Sequence, residues 1–248
     1  MDSAIFYKPR QVALSWKELQ MLSSFPKNEE TLNVKIANLH NIPATDEAKT
    51  LEEWYKNWSL VRDPREKVRK IFFFDTETHK LNGFAISIGC ILYDLIDDTI
   101  EKKFYKLINP QTPIDPEAMK VHGISDEAVA NEPLFAEVFP EIQEMLLKTD
   151  LICGFNVEYD LNVLIRESER AGIFPPVYAY LDLMQRVKVE VGAKGSTGRL
   201  KNPKLKECAD FYGVEKDESS LHNALYDTEV TLEVFRAAIK RYKEAQGF

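Results

Sequence analysis

Six polar side chains that could handle a metal ion or a proton fall in three short stretches. In FFFDTETHKL an apolar run ends in Asp75 and Glu77. Strand side chains alternate faces, so two carboxylates two residues apart project the same way from the strand end. Adjacent carboxylates in a partly buried place repel, and the pair implies either protonation or a cation. Taken singly, the pair is better read as a polar turn after an edge strand. In GFNVEYDLNVL, Asn156 closes a second apolar strand and Asp160 follows four residues later, a spacing that sets both side chains on one helical face. Taken alone, capping by Asn and an Asp complementing the helix dipole is the better reading of these two. In HNALYDTEVTLEVF, His222 precedes Asp227 by five residues. On one continuous helix the two would diverge by about 140°. They converge only if His222 lies in the loop before the helix, with Asn223 as the cap and Ala224, Asp227 and Thr231 on one face. An exposed loop His and a first-turn Asp form the plain alternative.

The elements that must hold these residues begin near Lys70. KIFFFD, FAISIGCILYD and TIEKKFYKLIN are rich in β-branched and aromatic residues and are separated by turn signals at Asn82-Gly83 and Asp97-Asp98. Short links between three consecutive strands predict an antiparallel meander. Helical signals follow in SDEAVANE and LFAEVFPEIQEMLLK, where Pro140 would end, restart or kink the helix. Then come the strand DLICGFN, the helix VEYDLNVLIRESERAGI, the strand VYAYLDL, and helices at LKECADFYG and NALYDTEVTLEVFRAAIKRYKEA. A meander followed by strand and helix alternation predicts an α/β fold, a mixed sheet flanked by helices.

Residues 1–68 differ in character, with no glycine, two helical stretches, a capping-box pattern from Ser15 to Glu18, and Trp54 and Trp58 on one helical face. They read as a helical extension that docks on the main domain or on a partner protein, with the main domain at 69–248. The chain of 248 residues carries 40 acidic and 32 basic residues, net charge −8, which argues against indiscriminate adhesion to nucleic acid or anionic membrane. Cys90, Cys153 and Cys208 sit apart in apolar runs, as buried thiols of a reducing compartment do. No secretory signal or membrane-spanning run is visible, so a cytoplasmic protein is expected.

The conjunction of the three stretches resembles the DEDD superfamily of 3′→5′ exonucleases, the DnaQ-like proteins, over roughly residues 70–245. FFFDTETHKL matches the D-x-E motif, FNVEYD the second and HNALYD the H-x4-D motif. His222 sets the DEDDh subgroup, and INPQTPIDPEAMKVHGISDEAV is similar to the family's N-P…H-G-I segment. The resemblance implies an RNase H-like mixed sheet of five strands and two divalent cations, Mg2+ or Mn2+, held by Asp75, Glu77, Asp160 and Asp227. His222 would orient and deprotonate the attacking water. Thr76 and Thr78 would meet the terminal 3′-OH, Leu81 would wedge beside the last base, Asn156 would hold sugar or phosphate, and Phe155 would stack on a base or join the core.

Two departures from the family's common pattern stand out. His79 and Lys80 follow Thr78 where many relatives have Thr and Gly, a bulkier positive pair beside the substrate, and Phe155 replaces a frequent His. The segment RVKVEVGAKGSTGRLKNPKLK reads as a basic loop whose Lys194, Arg199 and Lys201 would track phosphates, or as a solvated loop. His122 is expected to organise a turn or substrate-side loop. The implied activity is release of nucleoside monophosphates from the 3′ ends of single-stranded DNA. The alternatives are an RNA or oligoribonucleotide exonuclease, or a non-catalytic polymerase accessory subunit, and residues 1–68 could recruit a polymerase.

Overall fold

The computed structural model describes residues 68–173 and 180–246. The proposed helical extension, with Ser15, Glu18, Trp54 and Trp58, lies outside the described residues. Three strands form the predicted antiparallel meander: β1 (Lys70–Thr78), β2 (Ala85–Asp94) and β3 (Thr99–Leu107). After helices α1 (Pro116–His122), α2 (Asp126–Val129) and α3 (Phe135–Leu146), strand β4 (Leu151–Gly154) joins β1 in parallel. Helix α4 (Val157–Ala171) leads toward β5 (Tyr180–Asp182), which pairs in parallel with β4. Helices α5 (Leu183–Val191), α6 (Leu205–Tyr212) and α7 (Ala224–Gln246) complete the chain. The sheet order is β3-β2-β1-β4-β5, so the strand that carries the carboxylates is central.

The pleat divides the core. Phe72, Phe74, Ile88, Cys90, Leu92 and Ile152 face α3 and α4, while Ile71, Phe73, Ile91, Tyr93, Leu151 and Cys153 face α5, α6 and α7. All ten residues of β2 are buried, which makes it a fully covered strand, and Phe73 packs edge-on against Phe235 of α7 at 5.2 Å between ring centroids. Burying such a ring contributes roughly 1.5–3 kcal/mol relative to exposure. Val68 is buried with the second of these layers.

Several local expectations change under tertiary packing. Pro140 lies inside an unbroken α3, in which Val138, Phe139 and Ile142 remain buried; packing on the sheet outweighs the one backbone donor that proline removes. SDEAVANE supplies a single turn, capped where Ala128 N donates to Ser125 Oγ at 3.3 Å. The first part of the basic segment is not loop: residues through Val191 belong to α5, because Leu183, Met184 and Val187 are buried. The three cysteines are buried and free, as expected. Among the described residues no helix is long and apolar enough to cross a membrane.

Candidate active site

Strands β1, β4 and β5 run parallel, so their carboxyl ends open on one edge of the sheet, where sites of such sheets form. Asp75 and Glu77 continue the odd-numbered face of β1 toward α7. Directly opposite Asp75 in the ladder is Gly89 of β2. A Cβ there would lie 2.3 Å from Leu225 N and 2.4 Å from the Ala224 carbonyl carbon, so the first turn of α7 rests on bare backbone. Thr228 Oγ1 donates to Gly89 O at 3.1 Å and ties the helix down there. This close approach delivers Asp227 to the carboxylate pair.

His222 occupies the position that the spacing argument demanded. It stands outside α7 with φ 69°, and Asn223 Oδ1 accepts from Leu225 N and Tyr226 N, both at 3.1 Å. His222 N donates to Asp227 Oδ2 at 3.2 Å, which folds the turn back over the helix start. Ligand atoms of Glu77, His222 and Asp227 all lie within 4.8 Å of one another. Among the described residues, Asp227 Oδ1 is buried without a hydrogen-bond partner. A buried anionic oxygen with nothing to receive is costly, and it fits a position that a cation fills.

Asp160 comes from the other face of the sheet. The first turn of α4 buries it, and Oδ1 accepts from Thr76 N at 2.9 Å and from Thr76 Oγ1 at 2.7 Å. Both Thr76 donors are therefore spent on positioning a carboxylate, which leaves the oxygens of Thr76 able only to accept from a 3′-OH. Thr78 is similarly engaged: its Oγ1 donates to Lys80 O at 2.9 Å and lies 2.8 Å from Tyr159 Oη. The two threonines project to the α4 face, away from Asp75 and Glu77, and α4 presents partners for them.

Electrostatics agree with this crowding. Burial, then Asp160, Glu77 and Asp227, push Asp75 well above the usual carboxylate range. Burial, then Asp227 and Asp160, push Glu77 up to about 8. Burial raises Asp160 to about 7 despite the Thr76 hydrogen bonds, and burial also raises Asp227, which His222 partly offsets. Four acids that resist ionisation together have the chemistry of a site for divalent cations, whose charge removes the repulsion.

Asn156 differs from the helical-face expectation. It adopts the left-handed conformation, φ 62° and ψ 40°, stands exposed, makes no side-chain cap bond, and donates its N–H to Asp182 Oδ1 at 3.0 Å. A left-handed residue is off the α4 wheel, so Asn156 and Asp160 do not share a face. Asp182, missed in the sequence, also accepts from Met184 N at 3.1 Å to cap α5, and its charge raises Asp160. Its signal was an acid at the end of a parallel strand. Gly89 was missed too, although a glycine inside a strand marks close backbone approach.

The remaining expected residues are distributed around this centre. Phe155 is half-buried and packs against the α5–α7 side of the core. Leu81 is 79% exposed. His79 is only 3% exposed and burial lowers its pKa, so the expected positive pair reduces to exposed Lys80. His122 Nδ1 accepts from Ile124 N at 3.0 Å, the turn-organising role expected of it. Lys201 Nζ donates to both carboxylate oxygens of Glu207, at 2.7 and 2.9 Å, while Lys194 and Arg199 stand exposed on a small hairpin.

Comparison with known proteins follows the same lines. A family model described as RNase_T, exonuclease, matches residues 72–235. The DNA polymerase III epsilon subunit of Pasteurella multocida (strain Pm70) is 27% identical over 173 residues, 65% of this chain and 64% of that protein. Its counterpart in Escherichia coli (strain K12) is 28% identical over 178 residues, 66% of this chain and 68% of that protein. An exonuclease of Escherichia phage 186, CP81, whose role is uncharacterised, is 26% identical over 198 residues, 77% of this chain and 95% of its own. The chain thus spans about two thirds of the polymerase subunits' length. Among solved structures, exonuclease X in complex with 5′ overhanging duplex DNA aligns with TM-score 0.52 at 21% identity, covering 72% of this chain and 93% of that one. E. coli exonuclease I in complex with a dT13 oligonucleotide aligns with TM-score 0.60 at 17% identity, covering 72% and 42%. These structures share the RNase H-like fold expected from the motifs, a mixed sheet of five strands flanked by helices.

Proposed function

Starting from the premise that this chain belongs to the RNase_T exonuclease family, with the DEDD carboxylate pattern, we propose that it removes nucleoside monophosphates from the 3′ end of single-stranded DNA. The observation that carries this reading is the convergence of Glu77, His222 and Asp227 within 4.8 Å. Asp75 and Asp160 stand beside them, and the unpartnered Asp227 Oδ1 suits a cation ligand.

Phosphodiester hydrolysis needs a positioned water, a base for its proton and stabilisation of charge on phosphorus and on the departing oxygen. Two divalent cations, Mg2+ or Mn2+, supply the Lewis acidity and charge when bound. Asp75, Glu77 and Asp227 would hold one, and Asp160 would share in holding the second. Rigid support of Asp160 by Thr76, and of Asp227 by the Gly89 contact, keeps these donors from following the substrate. His222, in its loop outside α7, takes the proton of the attacking water as the new P–O bond forms and the bond to the penultimate 3′-oxygen breaks.

Leu81, exposed at the turn after β1, is the residue to meet the terminal base, with Asn156 near sugar or phosphate and Phe155 beside it. Lys194 and Arg199 are candidates for contacts with more distant phosphates. DNA is favoured over RNA because two of the relatives in sequence are DNA polymerase III epsilon subunits and the two structural neighbours carry DNA. Residues 1–68, outside the matched exonuclease region, would serve a polymerase or another protein partner.

The test is degradation of 3′-labelled and 5′-labelled single-stranded DNA and RNA with Mg2+ or Mn2+, with Asp75→Asn beside the wild type. Stepwise shortening of DNA from the 3′ end, lost in the variant, supports the reading. Preference for RNA replaces the substrate, and binding without cleavage leaves an accessory DNA-binding role.

A further inference from the structure

The turn that displays Leu81 is built unlike a free loop. Gly83 N donates to Lys80 O at 2.8 Å, Asn82 is left-handed with φ 56°, and His79 N donates to Phe84 O at 3.0 Å. His79 fills the inside of the turn: Phe84 N donates to its Nδ1 at 2.8 Å, and its ring stacks on Phe84 with centroids 5.6 Å apart. A Cβ at Gly83 would meet His79 Nδ1 at 2.6 Å, so the imidazole uses the space that only glycine leaves. His79 O also accepts from Asp115 N at 2.8 Å, which ties the turn to the start of α1.

Helix α4 then grips this turn from below. Arg170 places its guanidinium 4.1 Å from the Phe84 ring centroid, on a ring that also stacks with His79. The same guanidinium donates to Pro110 O at 2.7 Å and to Glu167 Oε2 at 2.7 Å. Glu167 is fully buried, and its other oxygen accepts from Ala85 N at 2.8 Å, the first residue of β2. Arg166 Nε donates to Gly83 O at 3.2 Å. Every one of these bonds joins segments about eighty or more residues apart, except the links to Pro110 and within α4 itself. A buried Glu and two Arg residues on one helix stretch are an expensive way to finish a turn whose tip is solvent-exposed.

What distinguishes α4 is that its first turn carries Asp160. We propose that Glu167, Arg170 and Phe84 are positioning residues that lock the 80–83 turn, and with it Leu81, to the helix that carries Asp160. The spacing between the terminal base and the carboxylates is then set by one rigid helix. Two links cooperate: Glu167 fixes the start of β2, and the Arg170–Phe84–His79 stack fixes the height of the turn. The proposal rests on the exonuclease reading for the role of Leu81, while the bracing itself is a property of the free protein.

The experiment combines both levels on the full chain. Amide hydrogen exchange of residues 79–85 is measured first, without metal or substrate, in wild type, Arg170→Ala and Phe84→Leu. Exchange there should quicken by about tenfold or more while the core strands keep their protection, as local opening does. Steady-state cleavage of a single-stranded oligonucleotide then compares Arg170→Ala, Leu81→Ala and the double variant. Arg170→Ala should raise KM roughly tenfold with kcat within about twofold, and the double variant should be no worse than Leu81→Ala, since both act through one contact. Phe84→Tyr, which keeps the ring, should retain wild-type KM. Unchanged exchange at 79–85, or multiplicative effects of Arg170→Ala and Leu81→Ala, overturns the proposal. If Leu81→Ala alone leaves KM untouched while exchange still quickens, the bracing stands and the assignment of Leu81 to the terminal base falls. No cleavage by the wild type sinks the exonuclease reading itself.

Discussion

Replacing Glu77 by Gln should make the metal-free protein more stable. Glu77 is held at a pKa of about 8 by burial and by Asp227 and Asp160, against an ordinary value of 4.5. Because the folded-state value lies above the unfolded one, the neutral acid's contribution is complete below about pH 4.5 and gone once pH passes about 8. Each tenfold change in proton affinity corresponds to about 1.4 kcal/mol, so the ionisation penalty reaches an upper bound on the order of 5 kcal/mol. The four acids share one repulsion, and the gain from neutralising one should be roughly half that, about 2–3 kcal/mol. For a domain of this size that is a rise in Tm of about 5–10 °C at pH 8. Thermal melts in EDTA should therefore show Glu77→Gln and wild type together at pH 4.5 and separated at pH 8. Adding Mn2+ should raise the wild-type Tm steeply and the variant's much less, because the cation removes the same repulsion in one and finds a missing ligand in the other. A variant less stable than wild type at pH 8 in EDTA, or a gap independent of pH, would refute the argument that the carboxylates repel across a shared site.

Gly89→Ala should lower stability by roughly 1–3 kcal/mol through overpacking against Leu225 and Ala224 and weaken Mn2+ binding by displacing Asp227, read by urea unfolding and calorimetric titration. His222→Ala should reduce kcat by about 10²–10⁴ with Mn2+ binding and circular dichroism near wild type, since it acts on a proton more than on the fold. Thr76→Val keeps shape but deletes the hydroxyl bonded to Asp160; a loss of about 1.5–3 kcal/mol in urea unfolding at pH 8 is expected for a bond to a charged acceptor. Phe73→Ala should cost about 3–5 kcal/mol from the cavity against Phe235, while the folded fraction retains metal binding.

The parts of this site legible in the sequence are those governed by short-range rules. Alternation along 71–77 put Asp75 and Glu77 on one face of a buried strand, and the capping preference of Asn223 placed His222 outside the helix; both follow from backbone geometry within a few residues. The order of the carboxylates along the chain, and the elements bearing them, were readable for the same reason. Where side chains spend their hydrogen bonds was not. Thr76 reaches Asp160 across 84 positions, Ala85 reaches Glu167 across 82, and Thr228 reaches Gly89 across 139. His79 looked like a surface charge until packing turned it inward under Phe84, and Asn156 looked helical until the bond from its N–H to Asp182 held it left-handed. Local sequence determined which groups could do chemistry and on which elements they ride. Tertiary structure alone decided which polar atoms are consumed as supports and which stay free for a cation or substrate, because a donor's partner is chosen by distance in space among residues far apart in the chain.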